Sequence, residues 1–384
     1  MSLWKRTKRI SHRLKISTLV ALLLTIGSSH AGEKMVEQLG VGLVGYGMAA
    51  RVFHAPIIQS IPHLQLKKVV ERHGNQSSQD YPGVEVVRDT TTLLHDAEIA
   101  LVVITTPNIS HFELARQSLL ANKHVVVEKP FTVNSNQAQQ LIDLARQQNK
   151  IVSVHHNRRW DGDFLTVKRL LDSQLLGRLV EYESHYDRFR NYVKPNAWRE
   201  DEGNGSGVLF DLGSHLIDQA QVLFGLPQAI ASDIRIQRDF GKADDNFELI
   251  LHYDNLKVTL KASMLVKEQC SRFILHGTEG SFIKYGYDPQ EEALKQGLTP
   301  AEPNWGEEPR EKWGTLRTQI SGLQVEGQIE TLAGCYQAYY QNIADTIGDR
   351  AELSVKPEEA RNTIRIIELA MQSNKEKCTV PFSL

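Results

Sequence analysis

From Val41 to about His156, short apolar runs alternate with helical patterns, a rhythm that few folds accommodate. The apolar runs stand at 41–44, 66–70, 84–87, 99–104, 124–127 and 151–154. Runs such as Val125-Val126-Val127 lack polar alternation, the habit of strands buried on both faces of a parallel sheet. Helical stretches fall between them, as at 113–121 and 137–148. Repeated βα units of this kind predict an α/β fold with a doubly wound parallel sheet.

Beyond residue 157 the strands lengthen and alternate, at 179–189, 229–237, 247–253, 257–263 and 272–276. Gly277-Thr278-Glu279-Gly280 reads as a hairpin connection into a strand at 281–283. Half-buried alternation predicts an α+β domain on a large, mostly antiparallel open sheet, one face covered by helices. Residues 289–313 read as a long polar excursion, and helices near 330–347 and 357–372 finish the chain. A length of 384 residues and 41% hydrophobic content suit two domains with packed cores. The expected division is a leader over 1–34, a first domain over 36–156 and a second over 157–384.

Gly45-Tyr46-Gly47-Met48-Ala49-Ala50 follows the first strand and opens a helix, the required context of the G-x-G-x-x-A dinucleotide fingerprint. Gly45 makes the tight turn, and Gly47 lets backbone approach a pyrophosphate. Met48 and Ala49 begin a helix whose unpaired N–H groups and positive dipole end suit an anion. The second strand ends in Glu71-Arg72-His73. An acid there suits the ribose hydroxyls of NAD, while an arginine accepts the extra phosphate of NADP. Arg72 beside His73 favours NADP, with NAD as the alternative. Thr105, Pro107, Asn108 and His111 follow the fourth strand at the same sheet edge and are expected on the nicotinamide side.

Two further motifs carry acid–base chemistry. Glu128-Lys129-Pro130 follows the triple valine directly, at the carboxyl edge where open α/β sheets bind ligands, so Glu128 and Lys129 are expected against the cofactor. Pro130 restricts Lys129 to extended backbone, so its ammonium is presented from a stiffened position. Three glycines within 203–207 precede Asp211, His215 and Asp218, which share a helix face at i, i+4 and i+7. Leu212, Leu216, Ala220 and Leu223 form the opposing apolar stripe. A carboxylate one turn before a histidine can hold its imidazole and tune its pKa towards neutrality, as a general base requires. No metal-ligating set is expected, since Asp211 and His215 lack further ligands at suitable spacing, and Cys270, Cys335 and Cys378 are widely scattered.

Fingerprint, Glu128-Lys129-Pro130 and Asp211-x-x-x-His215 occur in the order found in the Gfo/Idh/MocA family of nicotinamide-dependent oxidoreductases, which the chain resembles from Val41 to its C-terminus. More narrowly it resembles the NADP-dependent scyllo-inositol dehydrogenase group. That likeness is carried by Asn157-Arg158-Arg159-Trp160-Asp161, the stretch from Tyr182 to Arg188, Trp198-Arg199 and the stretch from His276 to Phe282. The resemblance implies a Rossmann domain, then a domain whose open sheet forms a homodimer or homotetramer interface. It also implies Lys129 as a catalytic, substrate-orienting residue, and His215 as the acid–base residue with Asp211 beside it. Ala50 replaces the third fingerprint glycine. Asn157, Arg158, Tyr186, Arg188 and Trp198 are expected on the remaining hydroxyls of a cyclic polyol or sugar, with Arg190 as a further candidate.

From Met35 onward 37 basic side chains face 45 acidic ones, which excludes the electrostatic footprint of a nucleic-acid binder. Six basic groups within the first fifteen residues, an apolar run over 16–26 and Ser29-His30-Ala31 have the layout of a signal peptide cut after Ala31. The run is short for a stable membrane span. Met35 offers a second start, and reduced nicotinamide chemistry belongs to the cytosol. We read the protein as cytoplasmic, with export as the alternative. Two other functions fit the same fold: a non-catalytic cofactor-binding regulator, disfavoured by the presence of both Lys129 and His215, and an NAD-dependent glycoside hydrolase.

Overall fold

A computed structural model describes residues 38–195, 197–203 and 205–384. The leader and both possible start sites lie outside these residues. The six apolar runs form β1 (Leu39–Val44), β2 (Leu64–Val70), β3 (Glu85–Val87), β4 (Ile99–Ile104), β5 (His124–Val127) and β6 (Val152–Val154). They pair in the order β3-β2-β1-β4-β5-β6, and every pairing is parallel. Val125, Val126 and Val127 are fully buried, as burial of both sheet faces requires. The strand order reverses between β1 and β4, and ligands of such sheets bind in the crevice at that point.

The second sheet has nine strands in the order β14-β13-β12-β11-β7-β10-β9-β8-β15. They are β7 (Leu179–His185), β8 (Ala229–Arg235), β9 (Asn246–His252), β10 (Lys257–Ser263), β11 (Ser271–Gly277), β12 (Gly280–Tyr285), β13 (Gly314–Ile320), β14 (Leu323–Ile329) and β15 (Val380–Pro381). Only β7 with β10 is parallel. The β13–β14 hairpin was not foreseen. Its strand β14 is exposed almost throughout, so no apolar face marks it. It is joined by Ser321-Gly322, both at positive φ, as a tight hairpin turn demands.

The helix Pro357–Glu376 packs on β8 and on the helix Ser135–Gln147, which flanks the first sheet. It buries Ile364, Ile367 and Ala370, and Glu368 caps Ser135 through its backbone N–H (2.7 Å) and hydroxyl (2.8 Å). It thereby holds the two sheets in one body. The helix Ser214–Phe224 lies between them and departs from the expected two-faced pattern. Every residue from Ser214 to Gln221 is buried. Its polar side chains are matched internally: Gln219 donates to the Arg158 carbonyl (2.8 Å) and accepts from Arg272 (2.9 Å). Gly225, at φ 74°, ends the helix with its N–H on the Gln221 carbonyl.

Among the described residues no helix is long and apolar enough to cross a membrane.

Candidate active site

The turn after β1 is shaped by Gly45. At φ 92° it occupies backbone space that L side chains rarely adopt, and a Cβ there would press on Thr105 and Thr106 of the turn after β4. Thr105 fastens the two turns together, its hydroxyl donating towards the Val44 and Gly45 carbonyls (both 3.1 Å). Above Gly47 there is open space where a Cβ would project. The helix that follows carries a π-type turn over Ala50–His54, a feature frequent at functional sites. An open glycine cradle at a helix N-terminus, at the switch point of a parallel sheet, fits the pyrophosphate of a dinucleotide. Gly45, Gly47, Met48 and Ala49 are the residues that would hold it.

At the end of β2 the two candidate ribose ligands separate. Glu71 is buried and turned inward, accepting from the Gln76 (3.1 Å) and Ser77 (2.7 Å) backbone N–H groups and from the Ser77 hydroxyl. Arg88 holds the loop from below through the Glu71 (2.9 Å) and Gly74 (2.6 Å) carbonyls. Arg72 and His73 remain exposed.

Lys129 and His215 line one cavity of about 520 Å³, together with Met48, Ala49, Asn157 and Arg158. Lys129 reaches it from the loop after β5, across a cis peptide to Pro130. Its ammonium donates to the Asp211 side chain and to the Asp211 carbonyl, both at 2.8 Å. Asp211 sits in a second π-type turn, Leu209–Gly213, that opens the helix bearing His215. The expected Asp211–His215 support is therefore corrected. The widened turn sends the carboxylate to Lys129 and to Arg199 (3.3 Å). Burial opposes the charge on Asp211, yet these two cations hold its carboxyl below the usual range. His215 itself is buried, with Nδ1 lacking a hydrogen-bond partner among the described residues. Burial, then the Lys129 and Arg158 charges, push its pKa well below that of ordinary histidine, so the imidazole is neutral. Asp218 leaves the expected shared face: it is buried against Arg159 (2.6 and 2.8 Å).

The glycines before Asp211 serve close approach. Gly207, at φ 84°, lies where a Cβ would land on the Asp244 carboxylate, which accepts from the Leu209 N–H (2.7 Å) and caps the turn. Burial raises the Asp244 carboxyl to about 6 despite those backbone bonds. Asn108 donates to the Gly205 carbonyl (2.7 Å), tying the first sheet's edge to this loop.

Other expected contacts are redistributed. His111 is buried with both ring nitrogens against backbone carbonyls, those of Pro130 (2.9 Å) and Thr106 (2.8 Å), and braces the loop that carries Lys129 instead of facing a cofactor. Pro107 is exposed at the edge. Tyr186 does not line the cavity. It stacks on Tyr287 at 4.7 Å, with the Arg158 and Arg272 guanidinium groups each 4.9 Å from its ring centroid, and so supports the arginines. Asn157, Arg158, Arg188 and Trp198 do line the cavity.

Glu128 also reaches the cavity wall, but its carboxylate is clamped from behind. His54 Nε2 (3.0 Å) and His155 Nδ1 (3.3 Å) donate to it, while the Tyr340 hydroxyl donates to His54 Nδ1 (2.5 Å). Burial opposes the charge on Glu128, and the two imidazoles nonetheless hold its carboxyl well below its ordinary value. This cluster escaped sequence reasoning because its members come from separate segments. Arg199, Arg238, Glu200 and Glu291 were missed for the same reason; of these only Arg199, inside the Trp198-Arg199 pair, had a local signal.

The residues 39–156 match a family model described as the oxidoreductase family NAD-binding Rossmann fold, and 168–382 match the C-terminal alpha/beta domain of the same family. The chain belongs to the Gfo/Idh/MocA oxidoreductase family. Within this family it is 43% identical to the oxidoreductase YdgJ of Escherichia coli over 90% of this chain and 99% of YdgJ. It is 39% identical to scyllo-inositol 2-dehydrogenase (NADP(+)) IolW of Bacillus subtilis, over 91% of this chain and 97% of IolW. A solved structure of the oxidoreductase YvaA from Bacillus subtilis superposes with a TM-score of 0.88 at 39% identity, covering 91% of this chain and 99% of that one. This Gfo/Idh/MocA protein is thus an NAD(P)-binding oxidoreductase, and its sheets are those of the family.

Proposed function

We propose that the protein is an NADP-dependent dehydrogenase acting on a secondary alcohol of a cyclic polyol or sugar. The observation that carries this reading is the shared cavity, where a lysine from the loop after β5 and a neutral, buried histidine from the helix Ser214–Phe224 face the same space as Met48 and Ala49 of the dinucleotide cradle. Bound nicotinamide supplies the hydride acceptor or donor. His215, held uncharged by burial and by neighbouring cations, takes the proton from the hydroxyl. An ammonium has three donors. Two of those on Lys129 are engaged by Asp211, so the third serves the developing alkoxide. Asp211 is a positioning residue in this scheme, fixing Lys129. Asn157, Arg158, Arg188 and Trp198 surround the remaining hydroxyls.

NADP is favoured over NAD because Glu71 is engaged by the Gln76 and Ser77 N–H groups, while Arg72 and His73 are exposed beside it. The relative IolW, named as an NADP(+)-dependent scyllo-inositol dehydrogenase, supports both the cofactor and the inositol-like substrate. We also infer a homodimer or homotetramer assembled through the second sheet, whose strand β9 alternates buried residues with partly exposed ones. The test is a panel of inositols and cyclic sugars offered with NADP and NAD in parallel, read as absorbance of the reduced cofactor. Turnover preferring NADP is expected. Binding of NADP without turnover of any polyol would overturn the reading in favour of a regulator.

A further inference from the structure

We propose that the polyol accepted by this cavity carries an anionic group, a carboxylate or phosphate ester, away from the reacting hydroxyl. This rests on the dehydrogenase reading above and deepens it. Eight Lys and Arg side chains line the cavity against five Asp and Glu. The carboxylates are all engaged by the protein. Asp211 serves Lys129 and Arg199, Glu200 takes Arg238 at 2.6 Å, and Glu291 takes Arg158 and Lys295. Glu128 is clamped by His54 and His155, and Asp244 caps the turn at Leu209.

What remains is Arg188, Arg190 and Lys194, which line the same cavity and have no carboxylate within 4.0 Å among the described residues. Their segment is held in place. The backbone N–H groups of Arg188 and Arg190 donate to the Ser263 (2.8 Å) and Met264 (2.7 Å) carbonyls, carrying the chain after β7 past the end of β10. Two-residue spacing on extended backbone puts both guanidinium groups on the same side. Arg188 lies 5.6 Å from the Tyr186 ring centroid and helps hold Asp211 charged, Arg190 and Lys194 are exposed, and a neutral polyol would leave all three without an ion-pair partner of their own. A carboxylate or phosphate matches the planar guanidinium fork and supplies the missing charge. A cofactor phosphate shares this chemistry, so the experiment separates the two sources.

The full chain is assayed with NADP on matched neutral and charged pairs: an inositol with its monophosphate, and a hexose with the corresponding uronic acid and 6-phosphate. The expected result is a kcat/KM for one charged member about tenfold or more above its neutral partner, with the preference falling as salt rises. In Arg188→Gln and Arg190→Gln the preference shrinks towards parity, while the Kd for NADP, read by fluorescence titration, is unchanged. Parity or a preference for neutral polyols in the unsubstituted protein overturns this inference alone, whatever the variants do. So does loss of NADP affinity in both variants, which would assign these cations to the cofactor. Absence of turnover with every pair overturns the dehydrogenase reading and this inference with it.

Discussion

The two ends of the cavity are built by different means. At the end on the first sheet, the lining residues Met48 and Ala49 follow a glycine turn that leaves open space over Gly47, so what is offered there is largely backbone. At the end built around β7 and the helix Ser214–Phe224, the wall is side-chain charge, matched in pairs and layered behind the surface. Backbone sites need a short contiguous motif and little support. Charged sites need buried partners, because an uncompensated ion away from water is expensive. The first kind survives on local geometry and the second on the whole fold.

Five substitutions test this contrast. The largest effect belongs to the reacting end: Lys129→Ala and His215→Ala each lower kcat/KM by about 10²–10⁴-fold, with NADP affinity retained by fluorescence titration. Loss of NADP binding with turnover spared in either would break the assignment. Next is the layer behind the wall. Asp218→Ala leaves Arg159 with Glu359 as its remaining carboxylate and reduces stability by about 1.5–3 kcal/mol in urea unfolding, though Asp218 does not line the cavity. A loss below 1 kcal/mol would mean that the charged end does not depend on its support.

Gly45→Ala, at the backbone end, places a Cβ at φ 92° and against Thr105, and is expected to cost about 1–3 kcal/mol together with NADP affinity. Unchanged melting and binding would show that the turn tolerates a side chain. Smallest is Arg72→Ala, which raises the KM for NADP by about tenfold, the size of one charge-assisted hydrogen bond, and leaves that for NAD unaltered. An equal effect on both cofactors would return Glu71 to the ribose.

The pH profile sharpens the same comparison. Because the folded pKa of His215 is lowered, its imidazole stays neutral as pH falls through the ordinary histidine value of about 6.5. The acid limb of kcat/KM is therefore expected well below that value. A limb at or above it would mean that Lys129, Arg158 and burial do not set the state of His215.

Much of the first region was legible from pattern. The six apolar runs and the Gly45–Ala50 fingerprint are local signals, and the parallel sheet followed from them. The second region was legible in outline only. Its alternating strands announced a largely antiparallel sheet, yet the β13–β14 hairpin carries almost no buried face and gave no contrast to read. The site divided along the same line. Lys129 and His215 stand in short motifs, whereas His111 and Tyr186 have the right residue type beside the right strand and still turn away from the cavity. His111 is held by the carbonyls of Thr106 and Pro130, and Tyr186 by stacking between arginines and Tyr287. Spacing along the chain does not tell which neighbour claims a side chain.

By itself the sequence determined the parallel sheet, the dinucleotide turn and the presence of a lysine and a histidine in family motifs, because each depends on residues within a few positions of one another. Only the tertiary structure decided that Asp211 serves Lys129 instead of His215, that Glu71 is turned inward while Arg72 stays free, and that two histidines clamp Glu128. Those outcomes depend on a π-type turn, on helix ends and on segments distant along the chain, where packing and desolvation choose among partners that periodicity leaves equivalent.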